Sequence, residues 1–298
     1  MKQIVNLLVY FAGVIVLGAL LAPPLYWAGH AIAGRGLLTF LAEADFQKFF
    51  NRAMLIAVIA LLWPALRRLR TGGWNGLGLR PDPRWWQHAT AGFVIAAVFV
   101  ASLGIAYSFF DVYRLKPQLV WEKTPQLLFS AIAVAVLEEM LFRGAIFGLF
   151  RRTLGPFPAL FCVTTLFAIV HFLKPDEAFQ VENVRWFSGF TLVPHAFYQF
   201  ANPLRLVAGF TTLFALGWIL GYATLHTSSL WMAIGLHAGV VFVKMTFSKF
   251  TKRQLEYPPW IGSELQIGLV PLAVLALCGM TVWLWLKYAD HPNRARRL

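Results

Sequence analysis

Along this chain long apolar runs alternate with short clusters of polar and basic residues, and neither a strand-like alternation nor a soluble amphipathic stripe prevails. Eight runs approach the ~20 apolar residues that cross a bilayer as helix, near 3–22, 46–66, 89–110, 127–150, 157–173, 204–225, 230–247 and 265–286. The fifth and seventh are short, which suits helices partly buried in protein. The pattern predicts an all-α, polytopic membrane bundle of about eight transmembrane helices, with 1–298 as a single integral-membrane domain. No fixed-period repeat or low-complexity tract interrupts it. The first run is read as an uncleaved span, because only Lys2 precedes it and no A-x-A site stands before Ala22-Pro23-Pro24.

Composition supports that reading. Hydrophobic residues make up 59% of the chain and charged residues 13%, against roughly 45–50% and 25% in soluble domains. A formal net charge of +13 raises nucleic acid as a partner, but the basic residues fall between apolar runs rather than on one phosphate-binding stripe. No nucleic acid is expected. The same clusters orient the chain: Arg67, Arg68, Arg70, Arg80 and Arg84 follow span two, Arg151 and Arg152 follow span four, and Lys287, Arg294, Arg296 and Arg297 follow span eight. With eight spans these share one side, which predicts cytoplasmic termini; the expected setting is a bacterial inner (plasma) membrane. Lys244, Lys249, Lys252 and Arg253 fall on the opposite side. Trp85 and Trp86 read as interfacial anchors. The 174–203 connection, mixed in charge and rich in aromatics, reads either as a re-entrant or interfacial lid or as a plain loop with two interfacial turns. The two cysteines, Cys162 and Cys278, both lie in apolar runs and exclude a disulfide framework or a cysteine zinc cluster.

Charge inside the spans is the exception that needs a reason. In Val136-Leu137-Glu138-Glu139-Met140-Leu141-Phe142-Arg143-Gly144, three ionisable residues interrupt span four, where each costs about 2.5–3.5 kcal/mol at mid-depth. At ~100° per residue, Glu139 and Arg143 share a helix face and form a ready i,i+4 ion pair, while Glu138 points elsewhere. Glu138 then needs a partner on another helix, water, or a proton. His171 ends span five and His237 lies within span seven. By rise, Glu138 and His171 reach ~18–20 Å from the same side, and His237 reaches that level only if its helix starts deeper or tilts. The plainer alternative is a buried ion pair plus one protonated glutamate joining helices. Intramembrane ionisable residues are functional by default, and functional use is the reading adopted. His226, His195, His30, His88 and His291 are weaker candidates.

A buried carboxylate beside a histidine can activate water as a general base, and a second histidine can hydrogen-bond the oxyanion of a tetrahedral intermediate. That is hydrolysis of an acyl bond, most simply a peptide. Glu138, His171 and His237 could instead ligate zinc with water in a fourth position. The lack of H-E-x-x-H and the adjacency of Glu138 and Glu139 favour chemistry with no required cofactor.

Three ordered motifs, "EEMLFRG", "FAIVH" and "GLHAG", lie within apolar spans. They resemble the CPBP family of intramembrane proteases, which includes type 2 CAAX prenyl proteases and bacteriocin-processing, Abi-type relatives. Glu138, Glu139 and Arg143 match its EExxxR motif, Phe167 and His171 its FxxxH motif, and His237 opens its third. The resemblance covers about 125–245, taken as the catalytic core. It implies that Glu138 and His171 activate water, that His237 stabilises the oxyanion, and that Glu139, Arg143 and Phe167 support them. One position departs: Val241 stands where the family commonly has Asn or Asp, and it offers no donor. The implied substrate is a membrane-anchored protein or peptide with a CAAX-like or C-terminal sorting or processing sequence. Two readings from other classes stand beside it. A non-proteolytic membrane scaffold or immunity protein would keep the fold and tolerate Val241. A proton-coupled transporter would use Glu138 as carrier, but paired sets of broken helices are lacking.

Overall fold

The computed structural model describes residues 2–68, 77–79, 83–173, 175 and 179–288. Arg70, Arg80, Arg294, Arg296, Arg297, His291 and part of the 174–203 connection lie outside the described residues. The architecture is an all-α polytopic helical bundle. Six helices are long and apolar enough to cross a membrane, namely Val5–Gly34, Phe46–Ala65, Trp85–Phe109, Pro203–Thr227, Trp231–Phe250 and Leu269–Tyr288, and Pro156–Val170 is a shorter apolar helix. The predicted fourth span is instead three contiguous helical segments, because the helical hydrogen-bond register changes inside it. The chain divides into two compact units, one of Met1–Arg70 with His171–Asn202, the other of Thr71–Val170 with Pro203–Leu298.

In the first unit, α1 (Lys2–Gly34) and α2 (Phe46–Arg68) form an antiparallel hairpin. α1 runs well past the expected end near residue 22, through Pro23 and Pro24. A proline in a helix removes the N–H that would bond four residues back, here to the carbonyls of Ala19 and Leu20. Against that weakened point packs Gly189, whose missing Cβ would lie 2.0 Å from the Ala19 oxygen. Glycine is needed there for approach, not for an unusual φ. It belongs to α3, our label for the short helix Ser188–His195, whose Leu192 is buried among Ala19, Ala22, Phe46, Phe50 and Ala53. Since Gly18 meets Met54 near the midpoints of both hairpin helices, the 174–203 connection carries a short helix that reaches into the hairpin rather than lying wholly outside it.

The second unit contains α4 (Trp85–Phe109), α5 (Thr124–Glu139), a π-helical stretch (Met140–Ile146), α6 (Phe147–Leu154), α7 (Pro156–Val170), α8 (Pro203–Thr227), α9 (Trp231–Phe250) and α10 (Leu269–Tyr288). α4 and α9 run side by side in the same direction with glycines at the seam. A Cβ on Gly92 would come 2.5 Å from the Met232 oxygen, on Gly235 2.0 Å from the Ala89 oxygen, and on Gly239 2.5 Å from the Phe93 oxygen. Small residues bring membrane helices into backbone contact where no hydrophobic effect drives association. At their far ends, β1 (Tyr113–Leu115) pairs antiparallel with β2 (Thr251–Arg253). Lys116 Nζ donates to the carbonyls of Ser248 and Lys249 at 3.1 and 2.9 Å, closing the end of α9. Outward-facing Val98, Ile105, Phe129 and Phe161 are exposed, as lipid-facing side chains are.

Candidate functional site

The seam that fixes α9 also aims its histidine. Gly235 and Gly239 are four apart and share the face against α4, while His237 is two positions from each. At ~100° per residue it points to the opposite side. There it meets the α5–π junction: His237 Nδ1 lies 2.7 Å from Glu139 Oε1 and its Nε2 3.8 Å from Glu138 Oε2. His237 therefore reaches the level of the glutamates, which its position in the sequence left conditional on tilt or depth.

The backbone that follows the glutamates is not the regular α-helix assumed from the apolar run. The Met140 N–H is shared by the carbonyls of Val136 and Leu137, and the Phe147 N–H reaches five residues back to Phe142. Such π-turns recur at functional sites because they re-aim side chains within a continuous helix. Gly144 sits in this turn, and a Cβ there would come 3.0 Å from the Leu77 oxygen.

The expected ion pair is present: Arg143 Nη1 donates to Glu139 Oε1 at 2.8 Å, with both side chains 0% exposed. Arg143 Nη2 also donates to the Gly217 carbonyl of α8 at 3.1 Å, and its guanidinium lies over the Phe167 ring at 4.3 Å. Phe167 in turn makes a T-shaped contact with His237, with centroids 6.0 Å apart. A Cβ on Gly217 would meet Thr164 Cγ2 at 3.0 Å and Arg143 Nη2 at 3.3 Å, so glycine leaves the space the guanidinium fills. A buried charge pair is tolerated only when geometry and additional hydrogen bonds compensate desolvation. Here Glu139 accepts from two donors, and Arg143 also reaches a carbonyl and an aromatic face.

Glu138 differs from its neighbour. Its side chain is 30% exposed, against 0% for Glu139, so one glutamate is sealed while the other is open in part, although its Oε2 is buried. Five of the predicted residues, Glu138, Glu139, Arg143, Phe167 and His237, thus form one cluster in the second unit. His171 is the first residue past α7 and counts with the first unit. Val241 follows His237 by four positions on α9 and is half-buried. His226 bonds the Tyr222 carbonyl of its own helix at 3.0 Å, a local role. Three features had no counterpart in the sequence reading: the π-turn, the Gly217 carbonyl and the direct Glu139–His237 bond. Only the third had a signal, a buried histidine without a known partner, and the motif spacing paired His237 with no particular glutamate. Among the described residues, no group of three or more His, Cys, Asp or Glu side chains is placed to hold a metal ion.

Residues 120–243 match the family model described as Rce1-like: Type II CAAX prenyl endopeptidase Rce1-like. That interval holds all three motifs and nearly coincides with the 125–245 core, so the resemblance to the CPBP intramembrane proteases stands. No curated protein and no solved structure gives a match. The matched family is a protease family, and the helices are those of an integral membrane protein.

Proposed function

Starting from that match to a protease family, we propose that this membrane protein is a glutamic-type intramembrane endopeptidase. It hydrolyses a peptide bond in a membrane-associated protein or peptide of the CAAX-like or C-terminal processing class. The observation that carries the reading is the division of labour between adjacent carboxylates: Glu139 is sealed by Arg143, while Glu138 is partly exposed and faces His237. Glu138 is the general base that takes a proton from water, and His237 serves the oxyanion. The case for His171 as partner of Glu138 rests on its FxxxH motif. The distribution of arginine between spans supports cytoplasmic termini, and the proposed setting is a bacterial inner membrane. No metal takes part: activity survives a chelator, whereas loss that added zinc restores would overturn this element.

Purified protein in proteoliposomes, given a membrane-tethered reporter with a CAAX-like tail, releases the tail. Glu138→Gln or His171→Ala stops release. A second reading, a non-proteolytic scaffold or immunity protein, draws on Val241. It predicts that a Glu138→Gln variant keeps both its bound partner and the cellular phenotype.

A further inference from the structure

The bond between His237 and Glu139 determines which nitrogen of His237 carries hydrogen. Arg143 Nη1 donates to Glu139 Oε1 at 2.8 Å in a guanidinium–carboxylate pair, so that oxygen is an acceptor. The same oxygen lies 2.7 Å from His237 Nδ1, and two acceptors do not approach so closely. Nδ1 therefore carries the proton. In a neutral imidazole the other nitrogen, Nε2, is then a bare lone pair, and it is Nε2 that faces Glu138, at 3.8 Å. An oxyanion stabiliser must donate a hydrogen bond. In this resting arrangement the nitrogen facing Glu138 has nothing to donate.

We propose that Glu139 is a positioning residue that holds His237 as the Nδ1–H tautomer, so that His237 enters the reaction as a proton acceptor and serves the oxyanion only as an imidazolium. This rests on the protease reading and specifies the order of its proton transfers. Water gives one proton to the Glu138 carboxylate as its oxygen bonds the peptide carbonyl carbon and the carbonyl π electrons move to oxygen. Glu138 passes that proton to His237 Nε2. The new imidazolium, balanced at Nδ1 by the buried Glu139 carboxylate, donates Nε2–H to the oxyanion. When the tetrahedral intermediate collapses and the C–N bond breaks, the imidazolium proton goes to the leaving amine and the neutral tautomer returns. Charge-assisted hydrogen bonds are roughly twice as strong as neutral ones. An imidazolium donor thus offsets the neutral donor missing at Val241, and the same carboxylate-to-Nδ1 logic orients histidine in hydrolytic triads.

The test is the protonation of His237, read by nitrogen NMR on the intact protein in detergent with ¹⁵N-labelled histidine, the His237 signals being identified by their loss in His237→Gln. Expected is hydrogen on Nδ1 and none on Nε2 at the pH of maximal activity. Hydrogen on Nε2 at that pH, in either the neutral or the charged ring, overturns the proposal. Because Glu139→Gln alone strands Arg143, the companion variant is Glu139→Gln/Arg143→Met, which removes the pair together. If folded, it loses the fixed Nδ1–H signature, and kcat falls by about 10² with a displaced pH profile. A folded double variant with wild-type kcat and pH profile overturns the proposal. The protease reading fails separately, through wild-type protein that releases no tail from the membrane-tethered reporter, an outcome that leaves the resting tautomer untouched.

Discussion

Replacing Arg143 with alanine attacks the brace of the site without touching the working carboxylate. The deletion leaves Glu139, 0% exposed, with His237 as its remaining donor. Breaking a buried pair from one side costs about 3–5 kcal/mol, because the remaining charge is uncompensated. Lost contacts to the Gly217 carbonyl and the Phe167 face add to the cost. The His237 bond works the other way, so the total stays within that range. At about 2–4 °C per kcal/mol for a chain of this size class, Arg143→Ala lowers the unfolding midpoint in detergent by about 6–20 °C. The informative experiment is the cycle with Glu139→Gln, which removes the charge that Arg143 neutralises. With Gln at 139, deleting Arg143 costs less, and the coupling energy exceeds about 2 kcal/mol. A midpoint that falls by less than about 2 °C, or single effects that simply add, would refute the claim that these residues compensate one another.

Other perturbations probe other links. Gly239→Val pushes a side chain into the Phe93 carbonyl, costing about 1–3 kcal/mol or more and displacing His237, so stability and cleavage fall together. Gly148→Ala, with nothing within 4 Å of the added Cβ, is the control and is neutral or stabilising by up to about 1 kcal/mol; a wild-type-like Gly239→Val beside it would contradict the seam. Burial pushes the Tyr113 phenol above its ordinary value, with Glu264 and Glu256 adding to the shift and Arg253 opposing it. Its contribution to stability is therefore present below about pH 10 and lost as pH rises through its own raised value. Alkaline difference spectra of Tyr113→Phe should lose one of the phenols that titrate above free tyrosine; loss of a normally titrating phenol would contradict its burial.

Much of the membrane architecture was legible because bilayer thickness imposes one length scale on every apolar run, and the i,i+4 spacing of Glu139 and Arg143 announced their pairing. What escaped the reading depended on contacts between distant segments. α1 continues through Pro23 and Pro24, although tandem prolines normally argue for a stop, and Gly189 packs on the Ala19 carbonyl that Pro23 releases. The π-turn changes hydrogen-bond register without changing composition, so apolarity alone cannot reveal it. His237 depended on where α9 docks, which Gly92, Gly235 and Gly239 set by backbone contact; the motif supplied the residue but not the carboxylate it would bond.

The central claim is that Glu138 works as a base on water in a membrane-embedded peptidase. Its most direct test is mass spectrometry of a membrane-tethered CAAX-like peptide incubated with purified wild-type protein and with Glu138→Gln in the same vesicles, the fold of the variant being checked by its unfolding midpoint. The account predicts a single new terminus with wild type and a loss of at least about 10² in rate with the folded variant. Undiminished cleavage by folded Glu138→Gln would contradict it.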